Sequence, residues 1–186
     1  FMVPWLIGLF MFQLGPLVAS LILSFTRYDI ITPVEWVGFS NYFEMFRDQL
    51  FSKSLLNTAY YVGVSTPIRI ILAIAMALLL NQGLFGTSVF RTVFYLPSVT
   101  AGVAISILWR WIYHPKYGAL NDVLSWVGIP GPQWLADPSW AMPAIIIMGT
   151  WLVAGRYMVI FLAGLQAVPD QLYEAARIDG AGRVQQ

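Results

Sequence analysis

Leu172-Tyr-Glu-Ala-Ala-Arg-Ile-Asp-Gly180, followed by Ala181, Gly182 and Arg183, sets charges and two glycines directly after a long apolar run. The chemistry of these residues is recognition. A chain this oily that places a compact charged helix between apolar runs presents it to a soluble partner. Two further charges, Arg69 and Arg156, lie deep within apolar runs, where a cation costs about 3 kcal/mol or more. They must face a bundle interior, a water-filled path or a partner subunit. Little else is equipped for chemistry. The absence of cysteine excludes disulfides, thiolate metal sites and a cysteine nucleophile. The single histidine, His114 beside Pro115, reads as a loop or interfacial residue and builds no zinc site alone. No GxxxxGK[ST] phosphate loop occurs.

The elements that position these residues are apolar. Of 186 residues, 59% are hydrophobic and 10% charged, too little charge to cover a soluble domain, and the mean hydropathy is +0.71. Sixteen per cent aromatic residues, eight of them tryptophan, suit interfacial belts. A net charge of +1 gives no reason to expect nucleic acid. A span needs about 20 apolar residues, and four runs qualify: about 1–25, 55–80, 92–112 and 140–168. The runs are too long for barrel strands and lack period-two alternation. The fold class is therefore all-α, a multi-pass transmembrane helical bundle in contact with lipid. Gly15-Pro16 should kink the first span and Pro97 the third. Trp109, Arg110, Trp111 and Tyr113 read as an aromatic belt with a snorkelling arginine.

Between the spans lie a connection over 26–54, a short loop over 81–91, a Gly- and Pro-rich connection over 113–139, and the charged segment 169–186. Phe39, Tyr42, Phe43 and Phe46 recur at helical spacing, for a helix that either lies among lipid headgroups or packs on its own membrane domain. Positive charge is too evenly distributed to decide which connections face the cytoplasm.

Phe161-Leu-Ala-Gly-Leu-Gln-Ala-Val-Pro-Asp170 leading into Leu172-Tyr-Glu-Ala-Ala-Arg-Ile-Asp-Gly-Ala181 resembles the EAA signature of binding-protein-dependent ABC transporter permeases of the carbohydrate-importer branch. Leu56-Asn-Thr58, Ala75 through Asn81, Phe90-Arg-Thr-Val-Phe-Tyr-Leu-Pro97, Trp109 through Pro115, Tyr117-Gly118 and Asn121 follow in the family's order. The likeness covers roughly residue 55 to the end. It implies six core spans in the whole domain, so that two would follow Gln186. It also implies a cytoplasmic EAA loop, which places 26–54 and 113–139 outside.

The resemblance implies a coupling helix that docks on an ATPase, with Glu174, Ala175, Ala176, Asp179 and Gly180 as the contact. Alanines give a slim helix, Gly180 a turn, and Pro169 a break from the fourth span. Asp170 is a candidate cap. Implied partners are a second permease, two ATPase subunits carrying ATP and Mg, and an external solute-binding protein. The chain itself binds no cofactor and is no enzyme. Its place would be the plasma (inner) membrane of a bacterium or archaeon.

Arg69 and Arg156 either line the solute path, or bond backbone carbonyls freed near Pro67 or Gly155 or the partner permease. Trp151 either stacks on a sugar ring or packs against a neighbouring helix. The solute would be a sugar or a relative such as a glycerol phosphate. A secondary transporter is the rival reading, but it wants intramembrane acids, and all nine Asp and Glu lie outside the four runs. An intramembrane enzyme wants catalytic groups that the runs lack.

Overall fold

The computed structural model describes residues 2–83, 85–182 and 185, except the Asp170 side chain. Two compact units divide at Thr58, inside a helix: Phe1–Thr58 and Ala59–Gln186.

The first unit opens with α1 (Val3–Gly8), a π-helical turn (Leu9–Leu14) and α2 (Gly15–Leu23). Together they form one apolar helix of 21 residues. The π turn lies just before Gly15-Pro16. Proline has no N–H to bond the carbonyl four residues back, and a widened turn absorbs the mismatch. The expected kink site thus takes the form of a π turn. A two-residue ribbon follows, β1 (Thr26–Arg27) antiparallel to β2 (Glu35–Trp36). The sequence reading did not anticipate it, because the pairing is too short to show alternation. Next comes α3 (Ser40–Arg47), carrying the expected aromatic stripe. Its Asn41 Nδ2 donates to the carbonyls of Ser24 and Thr26, both at 2.9 Å. The Tyr42 hydroxyl lies 2.6 Å from Ser24 Oγ, and Phe25 packs against Trp36, Phe39 and Tyr42. One edge of α3 is therefore pinned to the end of α2, while Phe39, Phe43 and Phe46 stay exposed.

The second unit holds most of α4 (Gln49–Asn81), α5 (Thr87–Val99), α6 (Gly102–Ile112), α7 (Ala119–Trp126), α8 (Pro138–Gln166) and α9 (Asp170–Ile178). Helix α4 is continuous through Pro67 over 33 residues. Along it Ser65, Ala73, Ala77 and Leu80 are buried. Ala73, Ala77 and Leu80 pack on Met158 and Leu162 of α8. In a bilayer lipid tails remove the hydrophobic drive between helices, so small residues that allow close approach dominate such contacts.

The third apolar run differs from the expectation of one kinked helix over 92–112. It is two helices, α5 and α6, bent by 100° at Thr100 and Ala101, three residues after Pro97. Thr100 is extended at ψ 144°, and Ala101 at ψ 126° precedes the first turn of α6. Among the described residues three helices are long and apolar enough to cross a membrane, four if the bent pair counts as one span.

Candidate coupling helix and solute route

Helix α9 is set off by its two ends. Pro169, extended at ψ 137°, stands before its first turn, where a prolyl ring costs no hydrogen bond. At the other end Ala181 N–H donates to the Ala176 carbonyl at 2.9 Å, and Gly180 N–H to Arg177 at 3.1 Å. This pair of bonds is a Schellman closure, and it requires a left-handed residue, supplied by Gly180 at φ +83°. Asp179 forms the C-cap, its N–H bonded to Ala175 O at 3.0 Å. Tyr173 and Ala176 are half-buried, whereas Leu172, Glu174, Ala175, Arg177 and Ile178 are exposed. The exposed side, among the described side chains, thus carries Glu174 and Arg177 together with two large apolar residues around an alanine, a slim surface with an anionic handle. The cap at Asp170 concerns a side chain outside the described residues, and Arg183 is outside them too.

At the α5–α6 break lies a cavity of about 560 Å³ walled by α4, α5, α6 and α8. Leu72, Phe94, Pro97, Ile105 and Trp151 line it, and Thr100 supplies the one hydroxyl. Trp151 meets Trp109 edge-on at 5.6 Å.

The two arginines do not join Trp151 there. Arg69, half-buried, turns back along α4. Its Nη2 donates to the Tyr61 hydroxyl at 2.5 Å, and its guanidinium carbon lies 5.2 Å from the Tyr61 ring centre, a cation–π geometry. This arrangement fits against Gly149 of α8, where a Cβ would lie 2.8 Å from Nη2. Nearby hydroxyls behave unusually. Thr58, Thr92, Thr100 and Ser106 bond the carbonyl one turn back, as helix hydroxyls in lipid commonly do. Ser65 Oγ and Thr150 Oγ1, both buried, have no partner, nor does Arg69 Nε. Arg156 is exposed rather than buried, and donates to the Ser98 carbonyl at 3.1 Å. That carbonyl belongs to the last turn of α5, where helix carbonyls lack partners and carry negative partial charge. The carbonyl that Arg156 meets is thus one at the break between α5 and α6.

The expected belt divides. Trp109 and Tyr113 are buried and only Arg110 and Trp111 exposed. Tyr113 donates to Ala144 O at 2.8 Å and packs against Trp134, the rings tilted at 5.5 Å. Burial pushes its phenol up to about 12. Asn121 ties the 113–139 connection together. Its Oδ1 accepts from Trp134 Nε1 at 2.7 Å, and its Nδ2 donates to the carbonyls of Pro115 and Pro132. Gly131 permits this, because a Cβ there would fall 2.2 Å from Asn121 Cγ. His114 sits in the loop as expected, its Nδ1 accepting from Lys116 N–H at 3.2 Å.

Sequence reasoning missed Tyr61, Ser65, Gly149 and Thr150. A glycine within an apolar run was the available signal, since it costs about 1 kcal/mol against alanine in a helix and so asks for a packing reason.

Residues 69–186 match the family model described as "Binding-protein-dependent transport system inner membrane component". The probable ABC transporter permease protein YesP of Bacillus subtilis is 42% identical over 188 residues, covering all of this chain and 60% of that protein. The lactose transport system permease protein LacF of Rhizobium radiobacter is 36% identical, over 97% of this chain and 61% of its own length. A crystal structure of a bacterial ABC transporter involved in the import of the acidic polysaccharide alginate superposes with a TM-score of 0.82 at 28% identity, covering 99% of this chain and 62% of that one. The chain thus spans about three-fifths of the relatives it matches.

Proposed function

The chain belongs to the family of binding-protein-dependent transport system inner membrane components, and from that premise we propose that it is part of the permease subunit of an ATP-driven importer for a sugar or sugar-like solute. The observation that carries this reading is α9. It is a short helix with a break before it, a Schellman closure after it, and an exposed side holding Glu174 between Leu172 and Ile178. Such a helix suits a groove in a soluble motor.

In this reading Glu174, Ala175, Ala176, Asp179 and Gly180 contact an ATPase subunit, which holds ATP and Mg and performs the hydrolysis. Closure of two ATPases pulls the coupling helices and rocks the spans between inward- and outward-open states. The bend between α5 and α6 gives the bundle a place to flex. A second permease completes the path. An external solute-binding protein delivers cargo to the 26–54 and 113–139 connections. The complex sits in the plasma membrane of a bacterium or archaeon. Trp151 offers the path an aromatic face. Arg69 and Arg156 support its walls, Arg69 by bonding Tyr61 along α4 in the space beside Gly149 and Arg156 by capping α5. The absence of Asp and Glu from the candidate spans disfavours coupling to an ion gradient.

The test uses the full-length protein purified with its neighbours. Sugars are offered on the external binding protein and ATP turnover is measured. A cognate sugar should stimulate turnover, and Glu174→Lys should abolish the stimulation while leaving membrane insertion intact. Undiminished stimulation in Glu174→Lys would overturn the assignment of α9.

A further inference from the structure

The exposed side of α6 carries a groove that the coupling helix does not use and that shares only Ala104 and Leu108 with the apolar cavity. It measures about 690 Å³, and Arg110, Trp111, His114 and Tyr117 line it beside Ile107 and Leu108. A second hollow shares Arg110 and Ile107 and continues past Ser106 to Gly102. The two therefore follow α6 from the 113–139 connection to the break, with Arg110 where they meet.

The lining has a definite chemistry. No Asp or Glu borders either hollow, so within them nothing offsets the Arg110 charge. A guanidinium is a planar fork of donors matched to a carboxylate. His114 accepts through Nδ1 from the Lys116 N–H, which leaves Nε2–H to donate. Its ring lies flat on Tyr117, at 11° between planes. Trp111 is 70% exposed, an uncovered aromatic face on which the apolar side of a sugar ring can lie.

We propose that this groove binds an acidic saccharide, with a carboxylate on Arg110 and sugar rings against Trp111 and the His114–Tyr117 pair. The inference rests on the importer reading and narrows its solute to the anionic class. A lipid phosphate offers the same anionic oxygens but has no ring for the stacked pair.

The test uses the complete transporter in phosphatidylcholine nanodiscs, free of anionic lipid, with trigalacturonate, its methyl ester and neutral maltotriose as probes, read by titration calorimetry. Trigalacturonate should bind about tenfold more tightly than either uncharged probe. Arg110→Ala should erase that preference, and Arg110→Lys should restore part of it. Equal binding of the acid and its ester to the unaltered protein would overturn the proposal, with no need for any variant to fold. So would an Arg110 dependence confined to retention of phosphatidylglycerol, which would make the groove a lipid site. Stimulation by a neutral sugar that Glu174→Lys abolishes would leave the importer reading standing while the groove proposal fails.

Discussion

Arg69 Nη2 donates to the Tyr61 hydroxyl at 2.5 Å, two turns back along the same helix, and this conformation depends on Gly149 of the facing helix having no side chain. A Cβ at 149 would fall 2.8 Å from Nη2 and 2.9 Å from the Tyr61 hydroxyl. Gly149→Ala should displace the guanidinium and loosen its bond to Tyr61, at a net cost of no more than about 1 kcal/mol, because the atoms it meets end flexible side chains and alanine is the better helix former. Thermal unfolding of the purified complex measures it. Gly149→Ala combined with Arg69→Ala should recover part of the loss. An additive double variant would mean the two residues do not share the space.

Gly155 is less forgiving, since a Cβ there would stand 1.8 Å from the Phe94 carbonyl oxygen and 2.5 Å from its carbon. Backbone cannot swing aside as a side chain can. Gly155→Ala should prevent α5 and α8 from closing and show as lost yield or aggregation on size exclusion. Gly164→Ala, with nothing within 4 Å, is the control. It should behave like the parent or gain slightly, because alanine is the better helix former.

Tyr113 predicts an alkaline dependence. Burial raises its phenol to about 12 from an ordinary value near 10, so the folded state holds the proton more tightly than the unfolded one. The resulting stability is fully present below about pH 10 and is lost as pH rises through about 12. Tyr113→Phe should cost about 1 kcal/mol at neutral pH, through the bond to Ala144. It should also flatten that part of the stability-versus-pH curve, read by chemical denaturation at a series of pH values.

Gly180 holds the left-handed closure of α9 at φ +83°. Gly180→Ala should cost about 1–2 kcal/mol locally, fraying the last turn and lowering solute-stimulated ATP turnover severalfold. Gly180→Asn, which tolerates that backbone region, should retain most of it. Equal turnover in both variants would detach the closure from coupling.

Much of this was readable because lipid imposes simple rules. Backbone groups in hydrocarbon must bond within their own segment, so long apolar runs become helices, as 55–80 does within α4 and all but the last two residues of 140–168 do within α8. Pro169, Ala175, Ala176 and Gly180 announced α9 because break, helix former and left-handed turn are local preferences. What stayed hidden was relational. Proline at 97 signals a kink but not a 100° bend, and nothing local in the sequence foretells that Arg156 of another helix bonds the Ser98 carbonyl beside the break. The belt at 109–113 looked uniform, yet helical rotation sends Trp109 and Tyr113 inward and leaves Arg110 and Trp111 out. Gly149 and Gly155 resemble any helix glycine until the atom each one admits is known.

Asn121 binds Trp134, Pro115 and Pro132 at once, and Gly131 leaves it the space to do so. A stretch dense in prolines and glycines is thereby set in one shape before anything touches it. Ordering such a stretch on contact would subtract from affinity. Here that entropy has already been spent in folding, so the stretch keeps its form whatever lies against it.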